Sequence, residues 1–107
     1  MARISTHVLD IAKGGPARGI PVDLYFAGMR VKSAVTNADG RTDAPLLSGD
    51  RITTGTYELI FHVGEYFGGS DSFYDEIAIR FAVGEAEGNY HVPLLLAPHG
   101  YSTYRGS

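Results

Sequence analysis

The chain has no cysteine, which removes disulfides and thiolate chemistry and leaves its redox compartment undecided. No apolar run approaches the ~20 residues of a membrane span. The opening residues, Met1–Asp10, lack the charged-then-apolar layout of a signal peptide. Basic charge is sparse: nine Lys and Arg against twelve Asp and Glu leave a net charge of −3. The nine are scattered, so neither nucleic acid nor a membrane surface is expected as a partner. Internal repeats, low-complexity tracts and linkers are absent too. On these grounds the chain reads as a cytoplasmic protein.

Several catalytic signatures are missing as well. There is no HxH, HExxH or cysteine pair, and a metal site needs three or four protein ligands. No metal and no cofactor are therefore expected. A GxSxG elbow is absent, and Gly14-Gly15-Pro16 lacks the lysine and the following helix of a phosphate loop.

What remains is one domain's length, 107 residues, enough to bury roughly 60–70% of its unfolded surface. Fourteen glycines among β-branched and aromatic residues point to strands joined by tight turns. Alternating patterns predict strands at Ile4–Asp10, Ile20–Ala27, Arg30–Thr36, Tyr57–Val63, Ile77–Val83, Tyr90–Ala97 and Tyr101–Arg105. Thr42–Leu47 is at most a short strand, broken by Pro45, and Ser48–Thr56 reads as loop. Gly64–Ser70 is expected as one or two helical turns ended by Gly68-Gly69. Asn37-Ala38-Asp39-Gly40-Arg41 is a turn, with Asp-Gly for the φ > 0 position and Asn37 able to close an Asx turn. The pattern is that of an antiparallel, all-β sandwich with residues 1–107 as a single domain.

Two features depart from a plain sandwich. Pro93 falls inside a strand and cannot donate a ladder hydrogen bond, so that strand must be bulged or locally unpaired there. The outward face of the first and last strands carries Ser5, His7, Leu9, His91, Leu95, Ser102 and Tyr104. That set is too apolar and too uncharged for open water, and points to an oligomer interface or a cleft. His7 and His91 share this face and can serve as general base and acid near neutral pH. Arg41 is either a solvated turn residue or an electrophile able to hold an oxyanion or an imide edge. Spacing does not choose between them. His62 reads as solvated or partner-facing, and His99 as an exposed turn residue.

The blocks HVLD at His7–Asp10, PARGIPV at Pro16–Val22, NADGRT at Asn37–Thr42, YHVPLLL at Tyr90–Leu96 and YSTYRGS at Tyr101–Ser107 resemble, in order along the whole chain, the 5-hydroxyisourate hydrolases. These form the enzyme branch of the transthyretin-like family, and the final YRGS separates them from the hormone carriers. The resemblance implies a sandwich of two four-stranded sheets with one short helix. It also implies a homotetramer, a dimer of dimers, with active sites at the dimer–dimer interface. Its catalytic set falls on His7, Arg41 and His91. The substrate-binding set falls on Tyr104, Arg105, Gly106 and Ser107, with Ser102 beside them on the outward face. The implied reaction is opening of the 5-hydroxyisourate ring at its N1–C6 amide by histidine-assisted water, with Arg41 on the oxyanion. Departures from the usual family residues are Ala97, His99 and Asp75, the last standing where proline is frequent. The rival reading is a carrier that binds a small planar ligand without catalysis.

Overall fold

The computed structural model describes residues 1–68 and 71–107. Among the described residues nine strands form two sheets: β1 (Ala2–Asp10), β2 (Gly15–Pro16), β3 (Pro21–Phe26), β4 (Met29–Val35), β5 (Leu47–Gly49), β6 (Gly55–His62), β7 (Glu76–Val83), β8 (Asn89–Ala97) and β9 (Gly100–Thr103). One sheet has the order β2-β1-β8-β9, with β5 also pairing along β1; the other has the order β4-β3-β6-β7. Because β2 and β5 share one edge of β1 at different heights, the first sheet has five strands in four positions.

Period-two alternation builds the core between the sheets. Ile4 and Val8 of β1, Tyr90, Val92, Leu94 and Leu96 of β8, Val22 and Leu24 of β3, and Tyr57, Leu59 and Phe61 of β6 are all buried in one cluster. Each such side chain stabilises the fold by roughly 1.5–3 kcal/mol. The alternate residues Arg3, Ser5, His7 and Leu9, and His91 and Leu95, are thereby turned to the outer face of the first sheet. Thr6 is buried on the core side, where its hydroxyl donates to the Val92 carbonyl at 2.7 Å.

Three findings differ from the sequence expectation. The central pair β1·β8 is parallel, with Ser5 opposite His91 and His7 opposite Pro93, whereas the remaining pairs are antiparallel. Local patterning carries no information on the direction of a partner eighty-odd residues away. The short strand after the Asn37–Arg41 turn is Leu47–Gly49 rather than Thr42–Leu47, because Pro45 delays it until the chain reaches β1. Gly64–Gly68 forms tight turns, not a helix: Tyr66 N–H bonds the Val63 carbonyl and Gly68 N–H the Glu65 carbonyl, each three residues back. Gly69 and Ser70 lie outside the described residues, and no helix occurs among the described ones, so none is long and apolar enough to cross a membrane. The turns are pinned instead to β1 by Tyr66, whose hydroxyl donates to the Asp10 carboxylate at 2.8 Å. Burial and then that carboxylate push the Tyr66 phenol up to about 12.

At Pro93 the structure shows the local unpairing expected from the sequence. The bridge between His91 and Gly106 keeps the register of the β8·β9 ladder, Leu94 opposite Thr103 through Ala97 opposite Gly100. Pro93 therefore faces Tyr104, and its missing N–H interrupts the ladder without a bulge. The Pro93 carbonyl is satisfied instead by the Thr103 hydroxyl at 2.7 Å. Asp75 also finds its account here. Its backbone carbonyl accepts the N–H groups of both Val63 and Gly64 at 3.0 Å, a role that a proline would keep.

Candidate active site

The site is assembled where three distant segments meet on the outer face of the first sheet. β1 and β8 bring Ser5 against His91, and the Ser5 Oγ lies 2.8 Å from the His91 Nδ1. The third segment is the Asn37–Arg41 turn. Asn37 Oδ1 accepts the N–H groups of Asp39 (2.9 Å) and Arg41 (3.2 Å), the Asx turn expected from the sequence. Gly40 has φ 74° and packs so tightly on β1 that a Cβ would overlap the Val8 carbonyl and sit 3.1 Å from Pro16 Cβ. Its own carbonyl accepts the Val8 N–H at 2.8 Å. Only glycine allows this approach, and it delivers Arg41 to the β1·β8 pair.

The resulting cavity, about 340 Å³, is lined by Arg3, Ser5, Arg41, Asn89, His91 and Ser107. His91 is half-buried, and its imidazole is held below the usual histidine range, first by burial and then by the positive charge of Arg41, His7 and Arg3. His7 also sits at this junction. Its Nε2 is 2.8 Å from the Asp39 carbonyl. A carbonyl only accepts, so this nitrogen carries a proton. Arg41 is exposed and lines the cavity.

The remaining expected site residues divide. Gly106 packs on the His91 ring: its N–H donates to the His91 carbonyl at 2.8 Å, and a Cβ there would come within 2.6 Å of His91 Cδ2. Ser107 lines the cavity. Tyr104 and Arg105 instead line an apolar cleft of about 240 Å³ between the sheets, with Ile79, Phe81, Val92 and the other side of His91. The Arg105 guanidinium lies 4.6 Å over the Tyr90 ring and bonds the Asn89 carbonyl at 3.1 Å. Ser102 is exposed on β9, opposite Leu95. His99 is exposed at the β8–β9 turn and borders neither space. His62 is part-exposed and paired on the far sheet, its Nε2 2.9 Å from Asp23 and its Nδ1 3.3 Å from Glu76. Among the described residues no group of three or more His, Cys, Asp or Glu could hold a metal ion.

Arg3, Ser5 and Asn89 were not among the expected site residues. The signal for Arg3 was present, since continuing the β1 alternation two residues back from Ser5 places it on the same face. Starting the strand at Ile4 hid it.

A two-sheet β-sandwich of this strand order, with an imidazole and a guanidinium converging on the outer face of one sheet, defines a transthyretin-like protein. The chain belongs to the HIUase/Transthyretin family, whose model matches residues 4–106. It is 48% identical to 5-hydroxyisourate hydrolase 2 of Rhizobium meliloti (strain 1021), covering 98% of this chain and 96% of that one. Its fold matches that of Klebsiella pneumoniae 5-hydroxyisourate hydrolase with a TM-score of 0.88 at 39% identity, covering 98% and 99% of the two chains. Sea bream transthyretin, solved in complex with thyroxine, matches with a TM-score of 0.84 at 26% identity, covering 97% and 94%. One sandwich thus serves both a hydrolase and a thyroxine binder, so function is decided by the site and not the fold.

Proposed function

We propose that this chain, acting as one domain over residues 1–107, hydrolyses 5-hydroxyisourate in purine catabolism. The ring opens at the N1–C6 amide to give 2-oxo-4-hydroxy-4-carboxy-5-ureidoimidazoline. The observation that carries the reading is the His91 imidazole at the wall of a cavity it shares with the Arg41 guanidinium, its pKa lowered by burial and then by that charge. Full-length similarity to enzymes of that name supports it. His91 removes a proton from water as the water oxygen bonds to C6. Arg41 holds the oxyanion that forms on the C6 carbonyl oxygen. As the C6–N1 bond breaks, the proton passes from the imidazolium to N1, and the carboxylic acid left at C6 gives the second water proton to solvent as the carboxylate product leaves. His7, whose Nε2–H is committed to Asp39, offers Nδ1 to orient water or a substrate N–H. Ser107 contacts the substrate's polar edge. A general base supplies roughly 10²–10⁴-fold in rate, with positioning and the guanidinium supplying the rest. No step requires a metal or cofactor.

The outer face around the cavity is half-apolar, with Leu9 and Leu95 half-buried. This face meets further copies of the chain, giving a homotetramer whose dimer–dimer interface closes the cavity. Tyr104 and Ser102 reach substrate only in that assembly. Light scattering should give the mass of four chains; a fully active monomer would reject the assembly.

The deciding experiment follows the ultraviolet absorbance of freshly generated 5-hydroxyisourate with and without protein. Accelerated decay to the ring-opened product is expected. Decay at the spontaneous rate with saturable binding would make the protein a carrier, and the hydrolase reading would be withdrawn.

A further inference from the structure

We propose that Ser5 and Gly106 fix the tautomer and the aim of the His91 ring, so that an unprotonated Nε2 is the nitrogen presented to the cavity. The inference deepens the hydrolase reading and rests on it for its kinetic consequence.

The ring is gripped along two of its edges by residues from opposite ends of the chain. On one edge, the parallel register sets Ser5 directly across from His91, and its hydroxyl meets Nδ1 at 2.8 Å. On the other, the Gly106 backbone closes on Cδ2, so near that a Cβ would lie 2.6 Å from that carbon and 3.2 Å from Pro93 Cγ. Gly106 is itself tied to His91 through its N–H and the His91 carbonyl. Flipping the ring would turn Cδ2 to the Ser5 hydroxyl and forfeit that bond. Nε2 is left as the nitrogen with no partner among the described residues. Since none of their buried side-chain N or O atoms lacks a partner, Nε2 is open to solvent.

The hydroxyl's versatility is what makes the tautomer matter. If Nδ1–H donates to Ser5 Oγ, Nε2 keeps its lone pair and can take a proton from water. If Ser5 donated instead, Nε2 would carry the hydrogen and no base would face the cavity. The ring is neutral at physiological pH, its basicity lowered by burial and nearby cations, so a single tautomer can be populated. Ser5 and Gly106 are thus positioning residues that act through His91.

The test pairs a spectroscopic readout with a kinetic one, on the full chain. Nitrogen-15 NMR of the ligand-free wild type should show His91 protonated at Nδ1 and not at Nε2. In Ser5→Ala the two tautomers should mix. Its kcat should fall about tenfold, part of the 10²–10⁴ attributable to a general base, with KM within about twofold. Ser5→Thr, which keeps the hydroxyl, should recover most of the loss. Gly106→Ala should shift the His91 ring resonances and lower kcat. A wild-type ring protonated at Nε2, or Ser5→Ala with unchanged kcat in an active enzyme, would overturn the proposal. An Nδ1–H tautomer that Ser5→Ala abolishes, in a protein that does not open the substrate ring, would sink the hydrolase reading and leave the clamp standing.

Discussion

Replacing Gly40 by alanine tests how Arg41 reaches the site. An L-residue at φ 74° costs about 1–2 kcal/mol from backbone sterics alone. The added methyl would also overlap the Val8 carbonyl and crowd Pro16 and the Ala17 nitrogen, so the turn must lift from β1. Lifting weakens two bonds at this contact, Val8 N–H to the Gly40 carbonyl at 2.8 Å and Ala17 N–H to the Val8 carbonyl at 2.9 Å. Each contributes about 1 kcal/mol. Gly40→Ala should therefore destabilise the fold by about 3–4 kcal/mol, a large share of the ~5–15 kcal/mol typical of a domain. Gly14 is the control, with φ 83° but nothing within 4 Å of an added methyl group; Gly14→Ala should cost only about 1–2 kcal/mol. Urea midpoints at unchanged slope read the difference. Ring-opening rates on the same samples read the function. Because Arg41 follows Gly40 and His7 bonds Asp39, Gly40→Ala should lose about tenfold or more in rate, while Gly14→Ala stays within about twofold. Equal stability and equal rates in the two variants would refute the claim that docking of this turn places the arginine.

The rate should stay flat from pH 8 down to about 6.5 and fall only below it, since His91 acts unprotonated and burial followed by Arg41, His7 and Arg3 holds its pKa below the ordinary value. The unfolded chain takes up the same proton at about 6.5, so stability also declines as pH drops through that window. In Arg41→Gln the residual activity should show its acid limb moved upward, and a pH–rate profile with the limb unmoved would contradict the assigned cause. Ala27 holds φ 52° beside Gly28 at φ 80° in the two-residue β3–β4 turn. Ala27→Asn should raise stability by about 0.5–1 kcal/mol in thermal or urea unfolding without touching activity, because this turn type favours Asn-Gly. Arg105→Ala should lower activity several-fold by freeing the segment that carries Gly106 from the Tyr90 ring. Activity within error of wild type would show that Gly106 holds its place without that anchor.

Much of the scaffold could be read from the chain because alternation is a local signal. Tyr57, Leu59 and Phe61 announce a strand and its buried face in the same three letters. The Asn37–Arg41 turn was equally plain, since Asn and Asp-Gly perform their roles within five residues. Direction of pairing was not legible: the residues of β1 look the same whether β8 runs with or against them. Over Gly64–Gly68, the described part of the expected helix, turns take its place, and Tyr66 is held to β1 by its hydrogen bond to Asp10. His7, Arg41 and His91 could be singled out by type and face. The division of the final residues follows the same alternation, since the register carried past Pro93 sets Gly106 against His91 and turns Arg105 to the Tyr90 side. Arg105 thus lies on Tyr90, away from the cavity.

The pairing of β1 with β8 carries a kinetic consequence. Nearly the entire polypeptide has to be looped before these neighbours can meet, and such distant partners make for high contact order and slow folding. On a translating ribosome the hairpin of β3 and β4 can form early, but Ser5 has nothing to grip until His91 has left the exit tunnel. The catalytic groups are therefore the last part of the molecule to be put together.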